Sequence, residues 1–163
     1  MTFEVGDHVV YPSQGAGVVQ ERTTRVVLGV SHEYLKVVFV RGDMEVLVPL
    51  KRGEEVGLRH TVGKDEISRL LDAVRSADLT LPNQWPPRFR AEQEILSSGS
   101  AYDLARLIGN LAKRDVEKGL AATEREVLES AKSMLASELA VVQSLEIAAA
   151  TAQLDDAMSH HGS

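Results

Sequence analysis

The chain carries five histidines and no cysteine, which at once narrows the metal and nucleophile chemistry open to it. His8, His32, His60, His160 and His161 form no HExxH pattern, and only the last two are adjacent, in a polar terminal stretch. Ser97, Ser98 and Ser100 flank Gly99 without forming a GxSxG elbow. Ser31 and His32 fall in an expected hairpin turn, and adjacent strand residues point to opposite faces, so they make no nucleophile–base pair. Gly15-Ala16-Gly17 lacks the GxGxxG spacing and is expected to be a turn. The carboxylates are numerous but lie in helical patterns, where solvated ion pairs are the ordinary outcome. No catalytic residue, metal site or cofactor is expected, and the chain does not read as an enzyme.

Binding chemistry is the stronger signal. Residues 81–90, LPNQWPPRFR, hold the sole tryptophan, Trp85, with Pro82, Pro86, Pro87, Arg88 and Arg90. Prolines keep a helix from starting before Arg88 and favour an extended backbone, so the indole can be presented outward while the arginines reach phosphates. Trp85 as a core anchor of the helical domain is the competing reading. A helix expected from Ser100 to Lys118 buries Leu104, Leu107, Ile108 and Leu111, and sets Arg106, Asn110, Lys113 and Arg114 on another face. With Arg88, Arg90 and Arg125, these residues make a candidate phosphate-contacting patch. An aromatic wedge flanked by arginine is a recurrent way to grip a minor groove.

Two kinds of element must position those residues. Residues 8–11, 17–27, 34–40 and 44–48 are rich in Val, Tyr and Phe and are separated by PSQGAG, LGVSH and RGD, which predicts short antiparallel strands. Pro49 closes the last strand or puts its end at a sheet edge. From Asp65 the period turns helical, with Ile67, Leu70, Leu71 and Val74, then the Leu104 series, then Val127, Leu128, Ala131, Met134, Leu135 and Leu139. Gly119 is expected to stop one helix, Thr123 with Glu126 to form a capping box for the next, Gly99 to end another and Ser100 to cap its successor. The expected fold class is α+β: a small antiparallel Tudor- or SH3-like β domain over residues 1–55, a joint near 51–62, and an all-α domain over 62–158.

Charge follows the same division. The net charge is −6, but residues 1–60 carry 7 basic against 8 acidic side chains, residues 61–118 carry 9 against 9, and residues 119–163 carry 2 against 7. Acidity is concentrated in the last segment, and a basic face elsewhere is compatible with the total. The start, MTFEVGDHVV, lacks the features of a signal peptide, and no apolar run approaches the roughly 18 residues that span a bilayer, so a cytoplasmic protein without a membrane partner is expected.

Taken together, FEVGDHVVYPSQGAGVV, EYLKVVF, EVLVPL, VGLR, NQWPPRFR, LIGNLAKRDVEKGL and EREVLESAKSMLASELA resemble the CarD/CdnL family of bacterial transcription regulators over nearly the whole chain. The N-terminal part alone is also similar to the polymerase-interacting module of transcription-repair coupling factors. The resemblance implies a protein without catalytic activity that binds the RNA polymerase β subunit through its β domain and promoter DNA through its helical domain, and a monomer is expected. It further implies that Trp85 wedges into the minor groove at the upstream edge of the transcription bubble and stabilises the open complex. Arg88, Arg90, Lys113, Arg114 and Arg125 match the largely sequence-independent DNA-backbone contacts, and Arg25 with the strand Glu45, Val46, Leu47 and Val48 matches the polymerase-contacting surface. Leu47 stands where some relatives carry arginine, which points to an apolar or strand-pairing contact there. Some relatives likewise have a basic residue where this chain has Pro87. A structural protein–protein adaptor without DNA contact is the alternative.

Overall fold

The computed structural model describes residues 2–98 and 100–161. Five strands come first: β1 (His8–Tyr11), β2 (Gly15–Val27), β3 (Val30–Phe39), β4 (Glu45–Pro49) and β5 (Arg59–His60). They form one sheet in the order β4-β3-β2-β1-β5, and every pairing is antiparallel. The β2–β3 hairpin closes through Leu28 and Gly29, with φ of 52° and 79°. Positive φ at both central residues matches the right-handed twist of the flanking strands. Consequently Ser31 and His32 lie in β3, with His32 opposite Arg25, and not in the turn expected of them. A register shift between Val19 and Glu21 bends β2, as a bulge does. Phe3, Val9, Val19, Leu35, Val37, Phe39, Val48 and Leu58 form the core on one side of the bent sheet.

The stretch expected as a joint is structured. Leu50–Val56 is a short helix, α1, ended by Gly57 at φ 93°, and Leu58 enters the sheet core before β5 pairs with β1. The apolar spacing is too sparse in KRGEEVGLRH to reveal a seven-residue helix, and a two-residue strand carries no period at all.

The helical part follows as α2 (Ile67–Ser76), α3 (Pro87–Ser98), α4 (Ala101–Lys118), α5 (Ala122–Gln143) and α6 (Ile147–Met158), giving the expected α+β layout. Its core joins Leu70 and Val74 of α2, the Leu104 to Leu111 stripe of α4, Val127 to Ala140 of α5, and Ala150, Leu154 and Ala157 of α6. Gly109 lets α4 touch α2 backbone to backbone: a Cβ there would come within 2.1 Å of the Val74 carbonyl oxygen. Ser100 caps α4 by accepting from the Asp103 amide at 3.4 Å, and Gly119 ends it at φ 76°. The capping box does not form. Ala121 is the N-cap of α5, and Thr123 already lies inside the helix. Gly99 lies outside the described residues. Among the described residues no single helix is long and apolar enough to cross a membrane.

The two parts are docked. Ser137 Oγ of α5 accepts the Ala16 amide of β2 at 2.9 Å and donates to the Met134 carbonyl at 2.6 Å. Val141 of α5 packs with Val10 and Ala16 in a third small core. Two of the seven acids of the expected acidic tail are interior, Glu124 and Glu138 at 2% and 1% exposed, while Glu126, Glu129, Glu146, Asp155 and Asp156 are exposed.

Candidate nucleic-acid interface and edge strand

Trp85 sits in a tight turn, not an extended segment. The Arg88 amide donates to the Gln84 carbonyl at 2.9 Å, and Pro87 takes the first helical position of α3, where its missing N–H costs nothing. The indole is 46% exposed and its ring lies 4.9 Å from that of Phe89, tilted by 43°. It belongs to no buried cluster of the helical core. The competing reading of Trp85 as a core anchor does not hold in this fold, since nearly half the side chain faces water.

Arg88 departs from the sequence expectation. Only 8% exposed, it donates from Nε and Nη2 to the two carboxylate oxygens of Glu124, both at 3.0 Å, and from Nη1 to the Asn83 carbonyl at 2.7 Å. Its guanidinium carbon stands 5.4 Å from the centroid of the Trp85 ring. The side chain is turned into the fold because a buried carboxylate on the first turn of α5 requires a cation. No sequence rule places Glu124 beside Arg88, 36 residues away.

A second buried acid completes the network. Glu92 is fully buried, 3.8 Å from Arg88 Nε, and neither of its oxygens meets a conventional donor. Burial, together with the neighbouring Glu124, pushes its carboxyl from the usual 4.5 up to about 8. For Glu124 burial acts in the same direction, but bonding to Arg88 outweighs it and holds the group below the ordinary carboxylate range. Those bonds in turn raise Arg88. One carboxyl of the pair is thus neutral and the other charged, as two acids sharing one site require.

The remaining basic candidates reach solvent to different degrees. Arg90 and Lys113 are exposed. Arg114 is partly buried, with Nε 3.7 Å from Glu124 Oε1. Arg125 is half exposed but paired with Asp115 at 3.2 Å, and Arg106 is paired with Asp103 at 3.1 Å. Asn110 donates to the Leu79 carbonyl at 2.7 Å, fixing the strand-like approach to Trp85 against α4. Between that approach and α4 lies an open cavity of about 340 Å³, lined by Asn83, Arg88, Lys113, Arg114 and Lys118 among others. It joins the turn before Trp85 to the cationic face of α4.

At the other end of the molecule, β4 is the outermost strand of its side of the sheet. Val48 is 3% exposed and Val46 half-buried, both facing the core, whereas Leu47 is 41% exposed on the opposite face. Val46 and Val48 can therefore offer mainly their backbones to a partner. Glu45 is paired with Lys36 at 3.4 Å. Pairing of Leu47 with Lys36, Lys36 with Glu21, and Arg25 with His32 puts Leu47 and Arg25 on one face of the sheet. Arg25 also lies 5.9 Å from the Tyr34 ring on that face. Along β2 it is four residues beyond the row of Leu47, roughly 13 Å. An apolar cavity of about 330 Å³ runs beside the β4 edge, lined by Tyr11, Phe39, Met44 and Leu47 among others.

No group of three or more potential metal ligands occurs among the described residues. The fold is a small β module docked to a helical module that carries an exposed aromatic. The family model "CarD-like/TRCF RID domain" matches residues 3–62, and "CarD, C-terminal domain" matches residues 69–155. The chain belongs to the CarD-like transcription factor family, which is not an enzyme class. It is also similar to a Bacillus subtilis (strain 168) protein named "Putative transcription factor YdeB", at 24% identity over 145 residues, covering 88% of this chain and 94% of that one.

Proposed function

We propose that this protein binds the β subunit of RNA polymerase through its β module and promoter DNA through its helical module, and that it stabilises the open promoter complex at the upstream edge of the bubble. The observation that carries this reading is Trp85: a scarce, large aromatic kept 46% exposed, braced by Phe89 and bordered by exposed Arg90 and the Lys113 groove. An indole stacked or wedged at a base step is worth on the order of 1 to 3 kcal/mol, and each 1.4 kcal/mol is roughly a tenfold change in an equilibrium. One residue is then enough to lengthen bubble lifetime.

So small a contact needs an anchor, and the family model named for a RID module supports one in residues 3–62. The outermost strand β4, with Leu47 outward and an apolar cavity alongside, suits addition of a strand from the partner. Tethering raises the local concentration of the helical module at the promoter, so free DNA affinity can stay low and insensitive to sequence. Arg90, Lys113 and Arg114 supply phosphate contacts, and Arg125 joins them where phosphate competes with Asp115. A cytoplasmic location and action as a monomer go with this reading. An open-complex lifetime assay with and without the protein tests it: no change in lifetime, with polymerase binding intact, would leave the adaptor reading.

A further inference from the structure

We infer that Arg88 and Glu124 are positioning residues for Trp85, an internal clamp that sets the angle of the indole, and that Arg88 is not one of the phosphate contacts. This deepens the proposed wedge and rests on it.

The geometry is a chain of fixed contacts. Glu124 is 2% exposed in the first turn of α5, whose N-terminal end favours a negative charge. Its two oxygens take the Nε and Nη2 protons of Arg88 in a fork at 3.0 Å each, an arrangement that restricts both the position and the plane of the guanidinium. The plane so fixed reaches two further groups at once. One is the Asn83 carbonyl, 2.7 Å from Nη1 and two residues before the tryptophan; the other is the Trp85 ring, 5.4 Å from the guanidinium carbon. Arg88 thereby ties the turn's backbone and its aromatic to α5, while Phe89, the next residue, packs against the same indole at 4.9 Å.

Without the fork, the Arg88 and Arg90 amides still bond back to the Gln84 and Pro86 carbonyls. Those bonds fix the helix start but not the ring. A wedge is effective only if it is presented in one orientation, since ordering it on binding would cost side-chain entropy. Lysine cannot replace arginine here: an ammonium on a flexible stem keeps the charge but not the planar fork.

The chain's single tryptophan makes the test direct, because all indole fluorescence comes from Trp85. Three readouts are taken on full-length Arg88→Lys and on the double variant Arg88→Met/Glu124→Leu, whose apolar pair preserves folding where a lone buried charge does not. They are indole anisotropy with acrylamide quenching, the salt dependence of duplex binding, and open-complex lifetime with polymerase. The clamp predicts lower anisotropy and stronger quenching in both variants, a lifetime falling most of the way to that of Trp85→Ala, and a salt slope unchanged by the double variant. Unaltered anisotropy and quenching in the folded double variant overturn the clamp. So does a slope reduced by about 0.9, the signature of one phosphate no longer neutralised. If Trp85→Ala itself leaves the lifetime unchanged, the wedge fails, and the fluorescence result still decides whether Arg88 and Glu124 hold the ring.

Discussion

Arg59 on β5 donates from Nη1 and Nη2 to the two oxygens of Glu138 on α5, at 2.9 and 2.8 Å. The same carboxylate accepts the Val62 amide at 2.9 Å, and it is 1% exposed. One acid thus fastens the last strand of the sheet, the chain leaving it and the central helix of the other module. Together with Ser137 on Ala16 and Val141 on Val10, the pair holds the sheet against α5.

The first prediction tests that latch. Glu138→Ala takes the carboxylate away from Arg59, which keeps its bond to the His60 carbonyl at 3.1 Å, and from the Val62 amide, a loss of about 1 to 3 kcal/mol for charge-assisted bonds. The melting temperature should fall by about 2 to 4 °C for each kcal/mol in a chain of this size. Polymerase pull-down should persist while the gain in open-complex lifetime shrinks. A melting temperature equal to that of the parent would rule the latch out.

Glu92 makes stability depend on pH. Its carboxyl is raised in the fold, from 4.5 to about 8, so the folded state favours the proton more than the unfolded chain does. The stability tied to the protonated form is complete below the unfolded value and is lost as pH rises through the folded one. Glu92→Gln keeps the neutral shape and removes the titration. Relative to the parent it should melt within a degree or so at about pH 5 and distinctly higher at about pH 9. Equal pH dependence of the two proteins, measured by thermal denaturation across that range, would contradict a neutral Glu92.

Lys113 and Arg90 are the cleanest phosphate candidates, since both reach solvent, whereas Arg88, Arg114 and Arg125 each stand beside a carboxylate. Lys113→Ala with Arg90→Ala should weaken duplex binding alike on unrelated sequences and reduce the salt slope by about 0.9 for each phosphate no longer neutralised. Binding titrations on two unrelated duplexes check this. A weakening confined to one sequence would mean base readout instead.

For the anchor, Arg25→Glu combined with Leu47→Glu places two carboxylates on one exposed face of the sheet. Both side chains lie outside the buried core, so the thermal transition should barely move, whereas co-purification with polymerase should be lost. Undiminished pull-down would exclude this face as the contact.

How far the sequence reaches depends on whether the cause is local. Strands β1 to β4, helices α2, α4 and α5, the Ser100 cap and the Gly119 stop follow from period, propensity and turn chemistry, but β2 takes in Gly15, Ala16 and Gly17, expected as a turn, and β3 begins at Val30, four residues before its expected start. Helices α1 and α6 are not legible, α1 because seven residues show too little period and α6 because its alanine-rich run IAAATAQLDDAM lacks a clear stripe. Thr123 with Glu126 matches a capping box, yet the helix starts earlier because Ala121 is already extended and Ala122 helical. The exposed indole is foreseeable from its prolines, although as an extended stretch rather than the turn that forms. Arg88 is not: a basic residue beside a tryptophan reads as a surface contact until Glu124 arrives from α5, 36 residues on, to join the local neighbours Glu92 and Asn83. The Arg88–Glu124 pair depends on a tertiary neighbour, and the sequence alone holds no sign of it.

The central claim is that Trp85 acts on the bubble and not on the fold. The decisive measurement is the lifetime of the open promoter complex with Trp85→Ala, paired with the melting temperature of the same variant. A core tryptophan would cost roughly 3 to 5 kcal/mol on truncation, whereas a ring 46% exposed and resting on Phe89 should cost much less. The expected result is an open complex that decays several-fold faster, unchanged polymerase binding and a melting temperature within a few degrees of the parent, with Trp85→Phe intermediate in lifetime. A lifetime equal to that of the parent, or a collapse of the melting temperature that alone explains its shortening, would contradict the claim.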